Sequence, residues 1–557
     1  MKQLIAAILE KHIPLKKNKI EELIEIPKDA RLGDYAFPCF SLAGILKKIP
    51  QNIAADLIKK IKLPNSLERI ESAGPYINFF INRNLLAAKV ITQVLKEKSQ
   101  YGSSDLGKGK TIVIDMSSPN IAKPFGIGHL RSTIIGNSIS KICSFSGFKT
   151  IKINYPGDWG TPFGKIIAGY KEFGNPLELE KNPLKHLYEI YVKVSKEESY
   201  EEKGKEWFRK LESGDKEAMK LWAKFRELSL KDFEKIYNIL GISFDEISGE
   251  SFYNNKMGKT IIKLEKKKLL EKSNDALIVN LEKYGLGVCL IKKTDGTTLY
   301  ATRDLTAAID RYKRYTFFKM FYEVGGEQKL HFKQIFKVLE LMGYKWAKNC
   351  YHVDHGLYLD KDGKKFSTRK GKTIFMEDIL NETIEIAKQE ILKREKISGK
   401  ELEERAHAIA ISAILYGDLS NFRSNDMIFD IERFLSFEGD TGPYLLYTYA
   451  RARSILKKAN YSSSKYSSPN EITNIEKRLI FKISQFPETV HKAYLSFAPN
   501  LIANYSYDLA KTFNEFYHSS QVIGSKNEKF KLVIVDSFSQ ILKNALSLLG
   551  INVIERM

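Results

Sequence analysis

With 557 residues, 43% of them hydrophobic and 28% charged, the chain is long enough for several domains and has the composition of an ordinary globular protein. Lys and Arg number 89 against 67 Asp and Glu, a net charge of +22 that favours a polyanionic partner through counterion release. That partner reads as nucleic acid in preference to an anionic membrane, because no compact basic amphipathic helix stands out. No apolar run reaches the about 18 residues of a membrane span, and the opening MKQLIAAILEKHIP lacks a signal peptide's cleavage site. Cys39, Cys143, Cys289 and Cys350 are too dispersed for a zinc knuckle or a disulfide framework and read as reduced thiols of a cytosolic protein.

In chain order, helical patterns over 2–11 and 51–61 flank a turn at Gly33-Asp34-Tyr35, and a strand over 76–81 follows Gly74-Pro75. This mixture predicts a small α+β domain over 1–108, closed by a linker at 101–109. The β-branched run Thr111-Ile112-Val113-Ile114 predicts a buried strand, followed by a turn rich in Ser, Pro, Asn and Gly and then a helix from His129 carrying Leu130, Ile134 and Ile135 on one side. Such a unit aims a helix N-terminus, with free N–H groups and a positive dipole, at the carboxyl edge of a sheet, where it favours phosphate. Gly126 and Gly128 let a nucleotide approach the backbone, His129 can donate to a phosphate or ring oxygen, and Lys123 adds a mobile positive charge.

A second strand over 151–154 runs into the loop Pro156-Gly157-Asp158-Trp159-Gly160-Thr161. Residues 165–280 are expected to be a mostly helical, highly charged insertion, with 197–203 a solvated helix face. The sheet is expected to resume with 288–291, turning at Asp295-Gly296, and Tyr300 and Asp304 then lie one helical turn apart on one face. A strand over 318–324 meets Gly325-Gly326-Glu327-Gln328, which opens a helix to Met342. A strand over 353–359 leads into the lysine-rich loop 360–371. Alternation in His352-Val353-Asp354-His355 turns His355 away from the other two, so no metal site is expected there. His331 reads as structural or as a minor nucleotide contact.

Beyond 376 the pattern is helical throughout, interrupted by the polar loop 461–469. Leu445, Leu446, Tyr449, Ala452, Ile455 and Leu456 form a core stripe, off which Tyr444, Tyr447 and Arg451 are placed to stack on unpaired bases or to reach phosphates. Leu509, Phe513, Phe516 and Tyr517 form another stripe, and a helix over 538–549 is capped by Gly550.

The string Ser117-Ser118-Pro119-Asn120-Ile121-Ala122-Lys123-Pro124, followed by Gly128-His129-Leu130-Arg131-Ser132-Thr133, resembles the ATP-binding signature of class I aminoacyl-tRNA synthetases and, within them, the arginyl-tRNA synthetases. Asn154-x-x-Gly157-Asp158-Trp159-Gly160-Thr161, the early GDYAFP and SAGPYINFFIN strings, and the final 550–557 also look like that family. Two positions depart from the class pattern: Gly126 stands where its first motif starts with His, and Thr368 stands for the second lysine of Lys-Met-Ser-Lys-Ser, which Lys365-Phe366-Ser367 otherwise fits. In members lacking that lysine, one just upstream of the first motif is thought to compensate, the place that Lys123 occupies here.

The resemblance implies a Rossmann-type α/β catalytic domain over 109–375 with a helical insertion, an N-terminal α+β domain at the tRNA elbow, and a C-terminal all-α stem and anticodon-binding bundle over 376–557 that ends at the natural terminus. It implies ATP and L-arginine as substrates, Mg2+ accompanying ATP without a protein-ligated metal, tRNA(Arg) as partner and requirement for activation, no membrane partner, no editing domain, a monomer and a cytoplasmic location. Lys123, His129 and Lys365 would be catalytic, while Gly126, Gly128, His129, Lys365 and Ser367 would hold ATP. Asp115, Ser118, Asn120, His129, Tyr300, Asp304 and Gln328 would hold arginine, with Asp115 one methylene shorter than the family's usual Glu. Tyr444, Tyr447, Arg451 and Met557 would meet tRNA. Three rivals remain at this level: a non-catalytic RNA-binding paralogue in which Gly126 and Thr368 mark lost chemistry, a small nucleotidyltransferase-like enzyme sharing the glycine–histidine turn, and another class I specificity, against which Tyr300, Asp304 and Gln328 favour arginine.

Overall fold

The computed structural model describes residues 1–27, 29–273, 276–292, 300–366, 368–369, 372–373, 375–462 and 471–557. They divide into two compact units: the first combines Met1–Lys98 with Ala459–Gln485 and Thr512–Phe538, the second Ser99–Lys458 with Phe486–Lys511 and Ser539–Met557.

The first unit opens with α1 (Lys2–Leu9) and α2 (Lys17–Leu23), then β1 (Tyr35–Pro38), α3 (Phe40–Leu46), α4 (Pro50–Lys60), β2 (Leu67–Ala73), β3 (Tyr76–Ile81) and α5 (Arg83–Glu97). The three strands form an antiparallel sheet ordered β1-β3-β2. Ile5, Leu9, Ile20, Phe37, Ile53, Phe79 and Ile81 fill the core between this sheet and its helices, as the alternation in Tyr-Ile-Asn-Phe-Phe-Ile requires of a central strand. Gly33, at φ +99°, makes the predicted turn, where the left-handed backbone excludes most side chains. Beside it the buried Asp34 accepts from the Ile81 N–H at 2.8 Å and from Arg83 Nη2 at 2.5 Å, tying the sheet to the start of α5.

The second unit is built on a five-stranded sheet in which every pairing is parallel. Its strands are β4 (Thr111–Met116), β5 (Lys149–Asn154), β6 (Glu246–Ile247), β10 (Lys319–Gly325) and β11 (Cys350–His355), ordered β11-β10-β4-β5-β6. β4 is central and buried along almost its whole length, because helices cover both faces of a parallel sheet. The order reverses between β4 and β10, and that reversal opens a crevice at the strands' carboxyl ends. α6 (Ile127–Phe145) connects β4 to β5, and α7 (Thr161–Phe173), α8 (Pro176–Lys181), α9 (Pro183–Val194), α10 (Ser199–Glu212) and α11 (Lys216–Leu240) connect β5 to β6. α12 (Met257–Lys266), α13 (Tyr300–Tyr315) and α14 (Lys329–Leu341) follow.

Two expectations need correcting. The strand expected to resume the sheet, β9 (Val288–Lys292), instead closes a separate antiparallel sheet with β7 (Glu271–Ser273) and β8 (Ala276–Asn280). Its alternating burial is that of a strand with one solvated face, whereas β4 is covered on both sides. The single strand expected over 353–359 is two, β11 and β12 (Tyr358–Leu359), because the chain bends at Gly356, where a Cβ would collide with the backbone of Asn425. The insertion is mostly helical, as expected, and also supplies β6, the edge strand of the main sheet. The turn at Asp295-Gly296 and most of the polar loop at 461–469 lie outside the described residues.

Past the short hairpin β13 (Thr368–Arg369) and β14 (Lys372–Thr373) come α15 (Met376–Leu392), α16 (Gly399–Leu419), β15 (Met427–Ile428), α17 (Ile431–Phe434), α18 (Gly442–Lys458), α19 (Asn474–Ser484), α20 (Phe486–Ser496), α21 (Asn500–Ser519) and α22 (Glu528–Leu548). Among the described residues the predicted helical region is interrupted by one strand, β15, which pairs with β12. Within the first unit α19 packs on α5, with Phe481 against Tyr35 at 6.2 Å and under Arg83 at 5.5 Å.

Asp34→Ala removes a charged acceptor and leaves the Ile81 N–H buried, a loss of about 2–3 kcal/mol. Amide exchange along β3 is expected to accelerate by roughly one to two orders of magnitude, measured by native-state hydrogen exchange.

Candidate active site

The crevice at the carboxyl ends of β4 and β10 widens into a cavity of about 740 Å³. One wall is the turn between β4 and α6. Ser117, Ser118 and Ala122 stand in left-handed backbone conformations, at φ 74°, 48° and 56°, which non-glycine residues hold only when surroundings over-determine them. Here they do: Ser117 Oγ meets Tyr237 Oη at 2.8 Å, Asn154 Oδ1 accepts from the Ser118 N–H at 3.2 Å, and Ser229 Oγ accepts from the Ala122 N–H at 2.9 Å. The backbone of Asn120 pairs with Gly157, at which a Cβ would collide with Asn120 Oδ1. The loop that follows β5 must therefore carry glycine to let the Asn120 side chain pass.

Gly126 caps α6. Its N–H donates to His129 Nδ1 at 3.1 Å, so the His129 proton sits on Nε2. Burial, with the neighbouring charges of His355 and Lys123, pulls the His129 imidazole down to a pKa of about 4, and it is neutral at physiological pH. A neutral imidazole here leaves the helix N-terminus as the local source of positive potential.

Opposite this helix end lies an acidic pocket. Asp115, at the end of β4, is buried and takes Arg311 Nη1 at 2.6 Å on one oxygen and Ser118 Oγ at 3.1 Å on the other. Burial raises the Asp115 carboxyl against the pull of Arg311 and Ser118. Asp304 on α13 meets His331 Nε2 at 2.6 Å and accepts from Tyr155 Oη at 3.3 Å. Glu250 is buried 3.6 Å from Arg303, and burial, with Asp304 and Asp158 nearby, lifts its pKa to about 8. Tyr322 contributes a buried hydroxyl without a hydrogen-bond partner among the described residues. Three carboxylates and two phenols converging on one cavity form a receptor for a cation with several N–H donors.

The residues expected from the sequence are largely brought together. Asp115, Ser118, Asn120, Gly126, Gly128, His129, Tyr300, Asp304, Gln328 and Lys365 all line the cavity. Tyr300 is 62% exposed at the mouth, and Lys365 is exposed beside it. Lys123 does not line it: its ammonium lies 4.3 Å over the Tyr191 ring on α9. Ser367 lies outside the described residues. Arg451 stacks over Tyr447 at 4.7 Å on α18, Tyr444 lies tilted against Tyr507 at 5.7 Å, and the partly buried Met557 ends the chain; none of them lines the cavity. His352, Asp354 and His355 turn to separate partners, Val324 O, Arg423 and Glu323.

Sequence reading missed Glu250, Tyr155, Tyr322, Arg311 and His355, and left His331 without its partnership to Asp304. A signal existed for two of them. Arg311 stands seven residues after Asp304, two helical turns on and so on the same face, and Tyr155 directly follows Asn154 in the loop motif already singled out. Glu250, in an irregular 3-10 stretch, had none.

Comparison with known proteins agrees with this geometry. A family model described as "tRNA synthetases class I (R), catalytic domain" matches residues 90–431, one for the "Arginyl tRNA synthetase N terminal domain" matches 1–81, and one for the "DALR anticodon binding domain" matches 445–557. The crevice and its glycine-capped helix are thus those of a class I tRNA synthetase catalytic domain. Relatives named arginine–tRNA ligase include one from Clostridium perfringens, 45% identical with the whole of both chains covered, and one from Streptococcus thermophilus, 44% identical with the whole of both covered. The structure of arginyl-tRNA synthetase from Plasmodium falciparum superposes with a TM-score of 0.84 at 26% identity, over 100% of this chain and 99% of that one. That of Thermus thermophilus gives 0.85 at 23% identity over the same shares, a likeness of fold. The chain belongs to the arginyl-tRNA synthetase family.

Arg311→Met strands Asp115 as a buried, unpaired charge, at a cost of about 3–5 kcal/mol, and Asp115→Asn added to it recovers most of the loss. All four tryptophans lie in the second unit, so denaturation followed by tryptophan fluorescence reads this change directly.

Proposed function

We propose that the protein is an arginine–tRNA ligase, activating L-arginine with ATP to arginyl-adenylate and transferring the arginyl group to the 3′ end of tRNA(Arg). The observation that carries this reading is a cation receptor, built by Asp115, Glu250 and Asp304, in the same cavity as the glycine-capped N-terminus of α6. The substrate's guanidinium enters among the carboxylates, with Asp304 held by His331 and Tyr155, and Tyr300 and Gln328 flanking it. Its carboxylate then faces the α-phosphate of ATP, whose phosphates take the free N–H groups at the N-terminus of α6, at Ile127 and Gly128.

A carboxylate oxygen attacks the α-phosphorus, the bond to the bridging oxygen breaks, and pyrophosphate leaves with the electron pair. Most of the acceleration comes from holding two anions in line and from positive donors placed where charge develops. His129, with its proton on Nε2, donates without carrying charge, Lys365 and Ser367 supply further donors to the phosphates, and Lys123 joins them only on leaving the Tyr191 ring. Mg2+ would accompany ATP without a dedicated protein cage and would neutralise phosphate charge. In the second step a terminal ribose hydroxyl of the tRNA attacks the adenylate carbonyl and AMP leaves.

Residues 1–108 act at the tRNA elbow, 109–375 carry the chemistry, and 376–557 form the stem and anticodon-binding bundle, where Tyr444, Tyr447, Arg451 and Met557 meet the RNA. The protein works as a monomer in the cytoplasm and needs tRNA for activation. Among the described residues no helix is long and apolar enough to cross a membrane.

The direct test is arginine-dependent ATP–pyrophosphate exchange with and without tRNA(Arg) transcript. Exchange that requires tRNA is the expected result, and tight tRNA binding without exchange sinks the enzyme reading in favour of an RNA-binding paralogue. Asp304→Ala is expected to raise the KM for arginine by roughly 100-fold while leaving that for ATP within about two-fold.

Glu250 adds a pH signature. It holds a proton at pH 7 because its pKa lies near 8, above the ordinary carboxyl value, and an arriving guanidinium favours the ionised form. Arginine binding at pH 7 therefore releases close to one proton, and affinity rises with pH until about 8. Calorimetry in two buffers of different ionisation enthalpy measures the release, which Glu250→Gln abolishes.

A further inference from the structure

Besides His129 and His331, the cavity holds a third imidazole, which the reading above leaves unused. His355 ends β11, and its Nδ1 lies 2.9 Å from Oε1 of Glu323 on the adjacent β10. Glu323 is fully buried, and its Oε2 has no hydrogen-bond partner among the described residues. His355 is itself nearly buried, yet it lines the cavity together with His129 across the crevice. No hydrogen bond engages His355 Nε2 among the described residues, so the ring presents one committed nitrogen and one open one.

The two histidines are opposite in character. His129 spends Nδ1 on the Gly126 N–H and is neutral. Burial pulls the His355 pKa down, but the charge and hydrogen bond of Glu323 outweigh burial, and the balance lies above the ordinary imidazole value. The charged and titratable groups that act on His355 are Glu323 on β10, Arg131 and His129 on α6, and Asp418 on α16, with the Tyr358 phenol of β12 beside Arg131 and Asp418. Arg131 and Asp418 are themselves paired at 3.6 Å, and Tyr358 donates to Asp418, so Glu323 is the carboxylate with a free claim on the imidazole.

We propose that His355 is a nucleotide-binding residue: with Nδ1 tied to Glu323, its Nε2–H donates to an oxygen of the ribose–phosphate portion of ATP, and Glu323 is the residue that positions it. The inference rests on the reading of this cavity as the ATP site. It supplies an imidazole donor on the β11 side of the crevice, opposite a helix cap at which Gly126 offers no side chain. A protonated ring at that point opposes the negative charge of the phosphates, which the neutral His129 does not.

The experiment is calorimetric titration of the full-length protein with ATP and, separately, with L-arginine, alongside the exchange assay. For His355→Leu the expected result is ATP affinity weakened by roughly ten-fold or more, with arginine affinity within about two-fold of wild type. His355→Gln keeps an N–H donor without the charge and falls between the two. In the wild type, ATP affinity declines as pH rises through the imidazole's pKa, above about 6.5. Glu323→Gln shifts that decline to lower pH, and His355→Gln flattens it.

Should His355→Leu fail to fold, the pH profiles of His355→Gln and Glu323→Gln decide the matter. ATP affinity unchanged in His355→Leu overturns the inference, as does equal weakening toward ATP and arginine, or a Glu323→Gln profile superposing on the wild type. Tight ATP binding without arginine-dependent exchange would fail the ligase reading while leaving His355 standing, and absence of ATP binding in the wild type would overturn both.

Discussion

The site depends on one buried ion pair, the 2.6 Å contact between Arg311 and Asp115. Asp115 ends the central strand of the sheet and Arg311 sits on α13, so the pair pins that helix to the point where the strand order reverses. Tyr300 and Asp304 ride on the same helix, and their distance from the α6 N-terminus is fixed by this bond more than by any propensity of their own. Arg311 also lies between the rings of Tyr155 and Tyr322, at 5.0 and 5.8 Å from their centroids, which holds the guanidinium plane. Two buried charges paired this way add little net stability compared with apolar packing, but they reject misaligned arrangements sharply, because each partner is costly to bury alone.

The pair also changes what Asp115 can do. With Arg311 on one oxygen and Ser118 on the other, Asp115 meets an arriving cation already half-satisfied, and the uncommitted negative charge comes from Asp304 and from Glu250 once it ionises. The adjoining turn is held with comparable insistence. Three consecutive supports from β5 and α11 keep Ser117, Ser118 and Ala122 in left-handed conformations that local sequence disfavours, so the substrate-facing backbone is set before any ligand arrives.

The sequence made the framework legible wherever a short element carried both its periodicity and its punctuation. The β4 run, the glycine turn and the amphipathic start of α6 are contiguous, and from them the helix-end site follows. Tyr300 with Asp304 reads from helical spacing in the same way. Legibility ended where burial is decided by partners distant in the chain. β9 looked like a core strand by hydrophobicity, but the sheet it joins depends on pairing with β8, and alternating burial along it was the weaker clue. Glu250 resembles any surface glutamate until the fold surrounds it with Asp158, Asp304 and Arg303. Lys123 shows the converse, a charge whose sequence position is right but whose side chain settles on an aromatic ring of the insertion.

The interleaving of the first compact unit bears on how the chain is made. Its opening segment, Met1–Lys98, carries a core cluster of its own, against which, among the described residues, Phe481 packs from beyond it. The other segments, Ala459–Gln485 and Thr512–Phe538, leave the ribosome only after Ser99–Lys458 has been translated, a delay of roughly twenty to seventy seconds at ordinary elongation rates. Through that interval the face of α5 that receives α19, and the Arg83 side chain that covers Phe481, stand in water with their partner unsynthesised. That face is apolar: Ala87, Val90, Ile91 and Val94 of α5 are buried yet stand outside the core cluster of the opening segment, and α19, which packs on α5, buries Leu479, Ile480 and Ile483, so the nascent domain waits with a hydrophobic stripe uncovered.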